Sequence, residues 1–177
     1  MTHLDRHLLD LALAHDRLLD RDDLVAAGIS RNQWARRTGL GLWVPMAPGV
    51  WRHLATEETW HLRARAVMRW LGEEAALHGL SALRWWGIAP DDPDDVDVLV
   101  PRSRRHLDGP CRLHTNEWQP TSLRRFRGIR LQDPASAIVA TAAAGLDVRG
   151  LERLADEAIR QRRTSVSMLS RQIDQST

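Results

Sequence analysis

Arg31, Asn32, Gln33, Arg36 and Arg37 lie within two helical turns of one another, and their side chains are of the types that read base edges in a DNA groove. Arginine bonds guanine bidentately, and asparagine or glutamine does the same for adenine. On a helix these five can point outward while Trp34 anchors the same helix inward. Between Leu24 and Thr56 the chain carries Arg31, Arg36, Arg37 and Arg52 and no Asp or Glu, a local charge that phosphate favours. The six residues Arg31, Asn32, Gln33, Arg36, Arg37 and Arg52 are therefore the candidate contacts to double-stranded DNA, with Arg52 on a wing. Alternatively, the arginines are the solvated face of a small α/β cap.

A second basic cluster, Arg102, Arg104 and Arg105 with Arg124, Arg125 and Arg127, falls in residues 101–130, where eight arginines face only Asp108 and Glu117. It is expected to touch phosphate secondarily or to meet an acidic partner surface.

The most enzyme-like residues are Asp95 and Asp97. On a strand they share a face and can bind a divalent metal as in a nucleotidyltransferase, with Ser81 before them on a turn and helix. Against that, Leu80 precedes Ser81 where a small residue is needed, Trp85 and Trp86 crowd the region, and no third carboxylate strand follows. Asp91, Asp92 and Asp94 read as loop and turn formers beside Pro90 and Pro93. His3 and His7 lie four apart without a third ligand, His78, His106 and His114 lack metal-ligand spacing, and Cys111 has no base adjacent in sequence. No catalytic residue, metal or cofactor is expected. The eight tryptophans read as core and hairpin anchors, and Trp118, in a polar and basic setting, is the one to consider for stacking on a single strand.

The elements that must hold the first set follow from capping and turn chemistry. Asp20 caps a helix with Asp23 in its first turn, and Gly28 ends it. Ser30 and Gln33 form a capping box for the next helix, which Gly39 and Gly41 stop. Two β-prone runs, Leu42–Val44 and Val50–Arg52, flank a turn containing Pro45, Pro48 and Gly49, and Trp43 and Trp51 are expected to pair across it. With an amphipathic helix over 4–15 that places Leu4, Leu8, Leu11 and Ala12 on one side, this is a winged helix-turn-helix pattern over residues 1–55.

Residues 56–177 read as a second domain, mixed α/β with a small sheet, so the fold class is α+β. A helix from Thr56 to Leu71 opens it, with Trp60, Ala64, Val67, Trp70 and Leu71 buried. Short strands are expected around Ala75, at Val96–Val100 and at Cys111–Thr115, with Ser81 capping a brief helix to Trp86. A hairpin turns at Gly128. Asp133 with Pro134 starts a helix that runs to Gly145, and two more follow.

At 177 residues the chain admits one domain or two small ones, and 43% hydrophobic content suits a globular protein. The isoelectric point of 9.8 overstates the basicity: the net charge is only +2, and with no Lys or Tyr little titrates between His and Arg. A single Cys excludes an internal disulfide framework, the start is too acidic for a secretory signal, and no apolar run approaches the ~20 residues of a membrane span. A cytoplasmic location is expected, and the Arg-, Ala- and Leu-rich composition points to a GC-rich bacterial genome.

In their order, LLDRDDLVAAGISRNQWARR, PGVWR, LHGLSALRWWGI, VDVLVP, the Gly128 hairpin, DPASAIVATAAA and LERLADEAIRQ resemble the AbiEi-type antitoxins of abortive-infection, type IV toxin–antitoxin systems. The resemblance implies an N-terminal winged helix domain that binds operator DNA and represses its own promoter. It further implies a C-terminal domain that counters a nucleotidyltransferase-like toxin without necessarily touching it. Ser136, Ala137 and Ala140 depart from the more polar helix of many such proteins.

Overall fold

Leu18 and Leu19 leave opposite faces of strand β1 (Leu18–Asp20) and both are fully buried, so both faces of the sheet they belong to must be covered. The computed structural model describes residues 2–90, 95–115 and 122–175. In chain order the first unit, Met1–Gly72, contains α1 (His3–Ala14), β1, α2 (Arg21–Ala26), α3 (Arg31–Gly39), β2 (Trp43–Ala47), β3 (Val50–His53) and α4 (Trp60–Leu71). The three strands form an antiparallel sheet in the order β1-β3-β2. On one face Leu19 joins Leu8 and Ala12 of α1, Leu24 of α2, Trp34 of α3 and Trp43. On the other, Leu18 meets Met46, Ala47 and Val50 with Leu62 and Ala66 of α4. The order α1-β1-α2-α3-β2-β3 is that of a winged helix-turn-helix.

Reciprocal capping boxes open α1, α2 and α3, through Thr2 and Asp5, Asp20 and Asp23, and Ser30 and Gln33. The two carboxylates at the start of α2 are also where α4 is tied in, because Arg69 ion-pairs with both Asp20 and Asp23. Burial pushes the Asp20 carboxyl up, but hydrogen bonds from the Asp23 N–H and Arg69 outweigh it and hold Asp20 below the usual carboxylate range.

Three expectations are corrected here. The boundary predicted between residues 55 and 56 falls after Gly72, because α4 is needed to cover the second face of the first sheet. That helix begins at Trp60, capped by Thr59, rather than at Thr56. Trp43 and Trp51 do not oppose one another: the tight Pro48–Gly49 turn pairs Ala47 with Val50, and beyond a bulge between Pro45 and Ala47 Trp43 faces His53 and Trp51 faces Pro45. Both indoles instead meet Trp34, with ring centroids 5.4 and 5.2 Å away.

The second unit, Glu73–Thr177, holds β4 (Ala76–Leu77), α5 (Gly79–Trp86), β5 (Asp97–Leu99), a 3-10 turn (Arg102–Arg104), β6 (Arg112–His114), β7 (Leu123–Phe126), β8 (Ile129–Gln132), α6 (Pro134–Ala143), α7 (Val148–Arg160) and α8 (Val166–Asp174). Its mixed sheet runs β6-β5-β4-β8-β7, with β5–β6 and β4–β8 parallel and the other neighbours antiparallel. Leu77, Val98 and Leu131 are fully buried within it, and α6 packs against α5, α7 and α8. The β7–β8 hairpin turns through Arg127 and Gly128, φ +48° and +79°, the left-handed pair that a two-residue connection requires. Asp133 caps α6 with Pro134 in its first turn, as the sequence predicts.

Helix α5 starts three residues earlier than expected, with His78 at the N-cap, and Ser81 is not its cap. Ser81 is fully buried inside the helix, where its Oγ accepts the Asp97 N–H at 2.9 Å. The hydroxyl thus satisfies the entry of β5 rather than the start of α5. The fold is α+β, a winged helix-turn-helix unit and a mixed α/β unit. Among the described residues no helix is long and apolar enough to cross a membrane.

Candidate functional site

Helix α3 carries five of the six candidate DNA contacts, and the structure sorts them into free and engaged. Arg31, Asn32 and Arg36 are exposed, and among the described residues no ion pair or side-chain hydrogen bond holds them. Asn32 and Arg36 lie one turn apart, and exposed Ala35 and Gly39 extend the same stripe with small side chains, so little bulk stands between this face and an approaching surface. The other members do internal work. Gln33 accepts the Ser30 N–H through Oε1 at 2.9 Å as the capping box, which leaves its amide one free end rather than the donor and acceptor that bidentate adenine recognition uses.

Arg37 reaches back to α1. Its Nε donates to Asp5 Oδ1 at 2.9 Å, Nη1 donates to the Gln33 carbonyl, and the side chain is only 11% exposed. Arg37→Ala should therefore act chiefly through stability. We expect a lower melting temperature, with DNA affinity of the folded protein within about threefold of wild type, since the guanidinium is taken up by Asp5 and the Gln33 carbonyl rather than presented to solvent. A loss of affinity and salt slope at unchanged melting temperature would instead return Arg37 to the contact set.

Arg52 is likewise engaged: Nη1 donates to the Thr56 carbonyl at 2.9 Å, Nη2 pairs with Glu58 at 3.2 Å, and 13% of the side chain is exposed. It holds the connection from β3 to α4. The wing is correspondingly short, a Pro48–Gly49 turn with no basic residue at its tip. The cation nearest that turn is Arg21, whose side chain lies against Gly49, a placement that only the packing of α2 beside the hairpin creates.

The second basic cluster converges around two glutamates. Arg104 pairs with Glu74 at 3.4 Å, Arg125 pairs with Glu73, and Arg124 Nη1 donates to the Leu123 carbonyl. Arg105 Nε contacts His106, Arg127 lies over the Phe126 ring, and Arg102 is exposed. Its two arms are thus partly neutralised where they meet. Asp91, Asp92, Asp94 and Trp118 lie outside the described residues.

The second unit also holds a cleft of about 560 Å³ beside the ends of β5 and β6. Three residues that have no sequence relation meet there. His114 Nε2 bonds Asp97 Oδ1 at 2.8 Å, and the His78 ring lies against His114 with centroids 4.4 Å apart at 35°. Burial, with the neighbouring His114 charge, lowers the His78 pKa to about 4 against a smaller opposing pull from Asp97. His78 is therefore neutral at physiological pH. Burial, with Asp97 adding to it, raises the Cys111 thiol to about 11, so it is not an activated nucleophile. Asp95 pairs with Arg112 at 2.6 Å, so each carboxylate of the Asp95–Asp97 pair already faces a cationic or imidazole partner. Metal-ligand spacing could not reveal this group. Its only trace in sequence is that His78 and His114 each end a β-prone run.

No family model matches this chain, and no curated protein does. Among solved structures, its fold is similar to that of the RV2827C protein from Mycobacterium tuberculosis, with a TM-score of 0.61 and 19% sequence identity over 94% of this chain and 70% of that one. At that identity the likeness is one of fold, and what it establishes is that the α+β architecture described above recurs in a second chain.

Proposed function

We propose that this protein is a DNA-binding transcriptional regulator of the AbiEi antitoxin kind, acting in the cytoplasm to repress its own promoter and to counter a nucleotidyltransferase-like toxin. The observation that carries the DNA-binding reading is the acid-free outer face of α3, where Arg31, Asn32 and Arg36 stand clear of internal partners among the described residues, on a winged helix-turn-helix. In the bound state α3 lies in the major groove, Asn32 reads a base edge from the first turn, and Arg31 and Arg36 contact guanine or the flanking phosphates. Gln33 and Arg37 hold that helix in place, through its N-cap and through the pair to Asp5 of α1. The antitoxin role rests on the order of sequence pieces from LLDRDDLVAAGISRNQWARR to LERLADEAIRQ, and direct contact with a toxin is not part of it. Neither role asks for a catalytic residue, a metal or a cofactor.

A gel shift on the DNA upstream of its own reading frame tests this. The purified protein should retard that fragment at physiological salt at concentrations about 10³-fold or more below those that retard unrelated DNA of equal length, the usual margin of specific over non-specific binding. Equal affinity for both fragments would remove the operator-binding role.

A further inference from the structure

We propose that the exposed arginines stacked on Phe126 and Trp86 form a docking surface for an acidic segment of another protein. Trp86 ends α5 and Phe126 ends β7, and their rings lie face to face with centroids 4.4 Å apart and 18° between the planes. Both are tied in place. Trp86 Nε1 donates to the Gln132 carbonyl, Trp85 Nε1 donates to the Phe126 carbonyl, and Gln161 Nε2 donates to the Gly87 carbonyl, which brings the end of α7 to the end of α5. Two guanidiniums lie on this pair: Arg163 is 4.9 Å from the Phe126 centroid and 5.3 Å from that of Trp86, and Arg127 is 5.2 Å from that of Phe126. Arg127, Arg163 and the neighbouring Arg162 are exposed, and among the described residues no ion pair or side-chain hydrogen bond holds them. Glu157, which precedes them on α7, is already taken by Arg160.

The backbone gives a second, independent sign. Arg127 and Arg162 have φ of +48° and +55°, the left-handed region that glycine or asparagine enters with less strain. Arg127 holds the first place of a two-residue hairpin turn, where asparagine is the usual residue. Arg162 follows the C-cap of α7 in a Schellman motif, with its N–H on the Ile159 carbonyl and the Arg163 N–H on the Ala158 carbonyl, a position that glycine usually takes. Local structure asks for an arginine at neither place, so a use of the side chains accounts for them. The partner follows from the composition. Arginine with tryptophan and phenylalanine is what concentrates where proteins meet, whereas a nucleic-acid backbone is tracked by cations spread along many phosphates. Stacking fixes the plane of each guanidinium and leaves N–H edges outward, the fork that a carboxylate matches. Sharing one ring, the two guanidinium carbons are no more than roughly 10 Å apart, within reach of carboxylates two residues apart on an extended segment that rises about 3.3 Å per residue.

The probe is an acetylated peptide of four Glu-Gly repeats, titrated into the full chain at about 0.15 M salt and compared with its Gln-Gly counterpart. Affinity is read by calorimetry and location by the indole N–H resonance of Trp86. The Glu peptide should bind at least about 10-fold more tightly than the Gln peptide, the effect of one charge-assisted hydrogen bond, and should shift that resonance. Arg163→Lys keeps the charge without the planar fork and should weaken the peptide about as much as Arg163→Ala. Arg127→Gly should weaken it too while the melting temperature holds or rises, because glycine relieves the left-handed strain, so the loss cannot come from unfolding. The proposal is overturned if the Glu and Gln peptides bind alike, or if Arg127→Gly and Arg163→Ala leave binding unchanged. It is also overturned if a thymidine pentanucleotide of the same charge shifts the Trp86 signal at lower concentration than the peptide, which would assign the surface to nucleic acid. Arg31→Ala with Arg36→Ala should leave peptide binding as it is, so the result stands apart from whether α3 binds DNA.

Discussion

Arg31→Ala combined with Arg36→Ala should weaken binding to the upstream DNA by roughly 30-fold or more, since each contact of this kind contributes about 1 to 3 kcal/mol. Both side chains are exposed and neither has an internal partner among the described residues, so the melting temperature should stay where it is. The salt dependence then tells what each arginine does. A phosphate contact weakens binding to all sequences alike and lowers the salt slope by about one when removed, whereas a base contact leaves the slope nearly intact and relaxes preference at one operator position. Asn32→Ala, in the same assay, should relax preference without altering the slope. A folded double variant that still binds with wild-type affinity and salt dependence would exclude this face of α3 as the interface. The pair Arg31 and Arg36 is a cleaner choice than Arg36 and Arg37, because Arg37 carries the ion pair to Asp5 and its loss mixes stability with recognition.

The second large effect is on stability. Trp34 is 9% exposed and packs between Trp43 and Trp51 while lying in the same cluster as Leu8, Ala12, Leu19 and Leu24. Trp34→Ala opens a cavity where α3 meets the sheet and should cost about 3 to 5 kcal/mol. In a unit of this size that corresponds to a fall of more than about 10 °C in the transition that includes the first unit, with DNA binding lost as the unit unfolds. Trp34→Phe keeps an aromatic ring against both neighbours and should recover much of the difference. A melting curve for Trp34→Ala within about 2 °C of wild type would mean that α3 is held by its caps and by the Arg37–Asp5 pair rather than by its indole.

The sequence by itself determined the class of the fold and the outline of α3, because those depend on signals confined to a few residues. Ser30 with Gln33, Asp133 with Pro134, and the turn at Gly128 each act within four residues, and each performs its expected local role in the structure, although the turn also takes Arg127 from the expected strand. Trp34 as the inward residue of α3 follows in the same way from helical spacing. Where a side chain has two competing uses, local reading could not decide between them. Gln33 serves the capping box with the oxygen that base reading needs, and Ser81 is taken by the Asp97 N–H rather than by the start of α5. Partners far apart in the chain were beyond it altogether. Arg37 is claimed by Asp5, Arg69 by Asp20 and Asp23, and Arg104 and Arg125 by the adjacent glutamates Glu74 and Glu73. An arginine's type tells what it can bind, but which carboxylate reaches it depends on how the helices and strands pack. The same cause lies behind the first unit's extent, since only the three-stranded sheet, with Leu18 and Leu19 on its two faces, shows that α4 is required. It lies behind the cleft too: β5 and β6 run parallel in register, and that pairing sets Leu99 opposite His114 and brings the ring to Asp97 two residues earlier on β5.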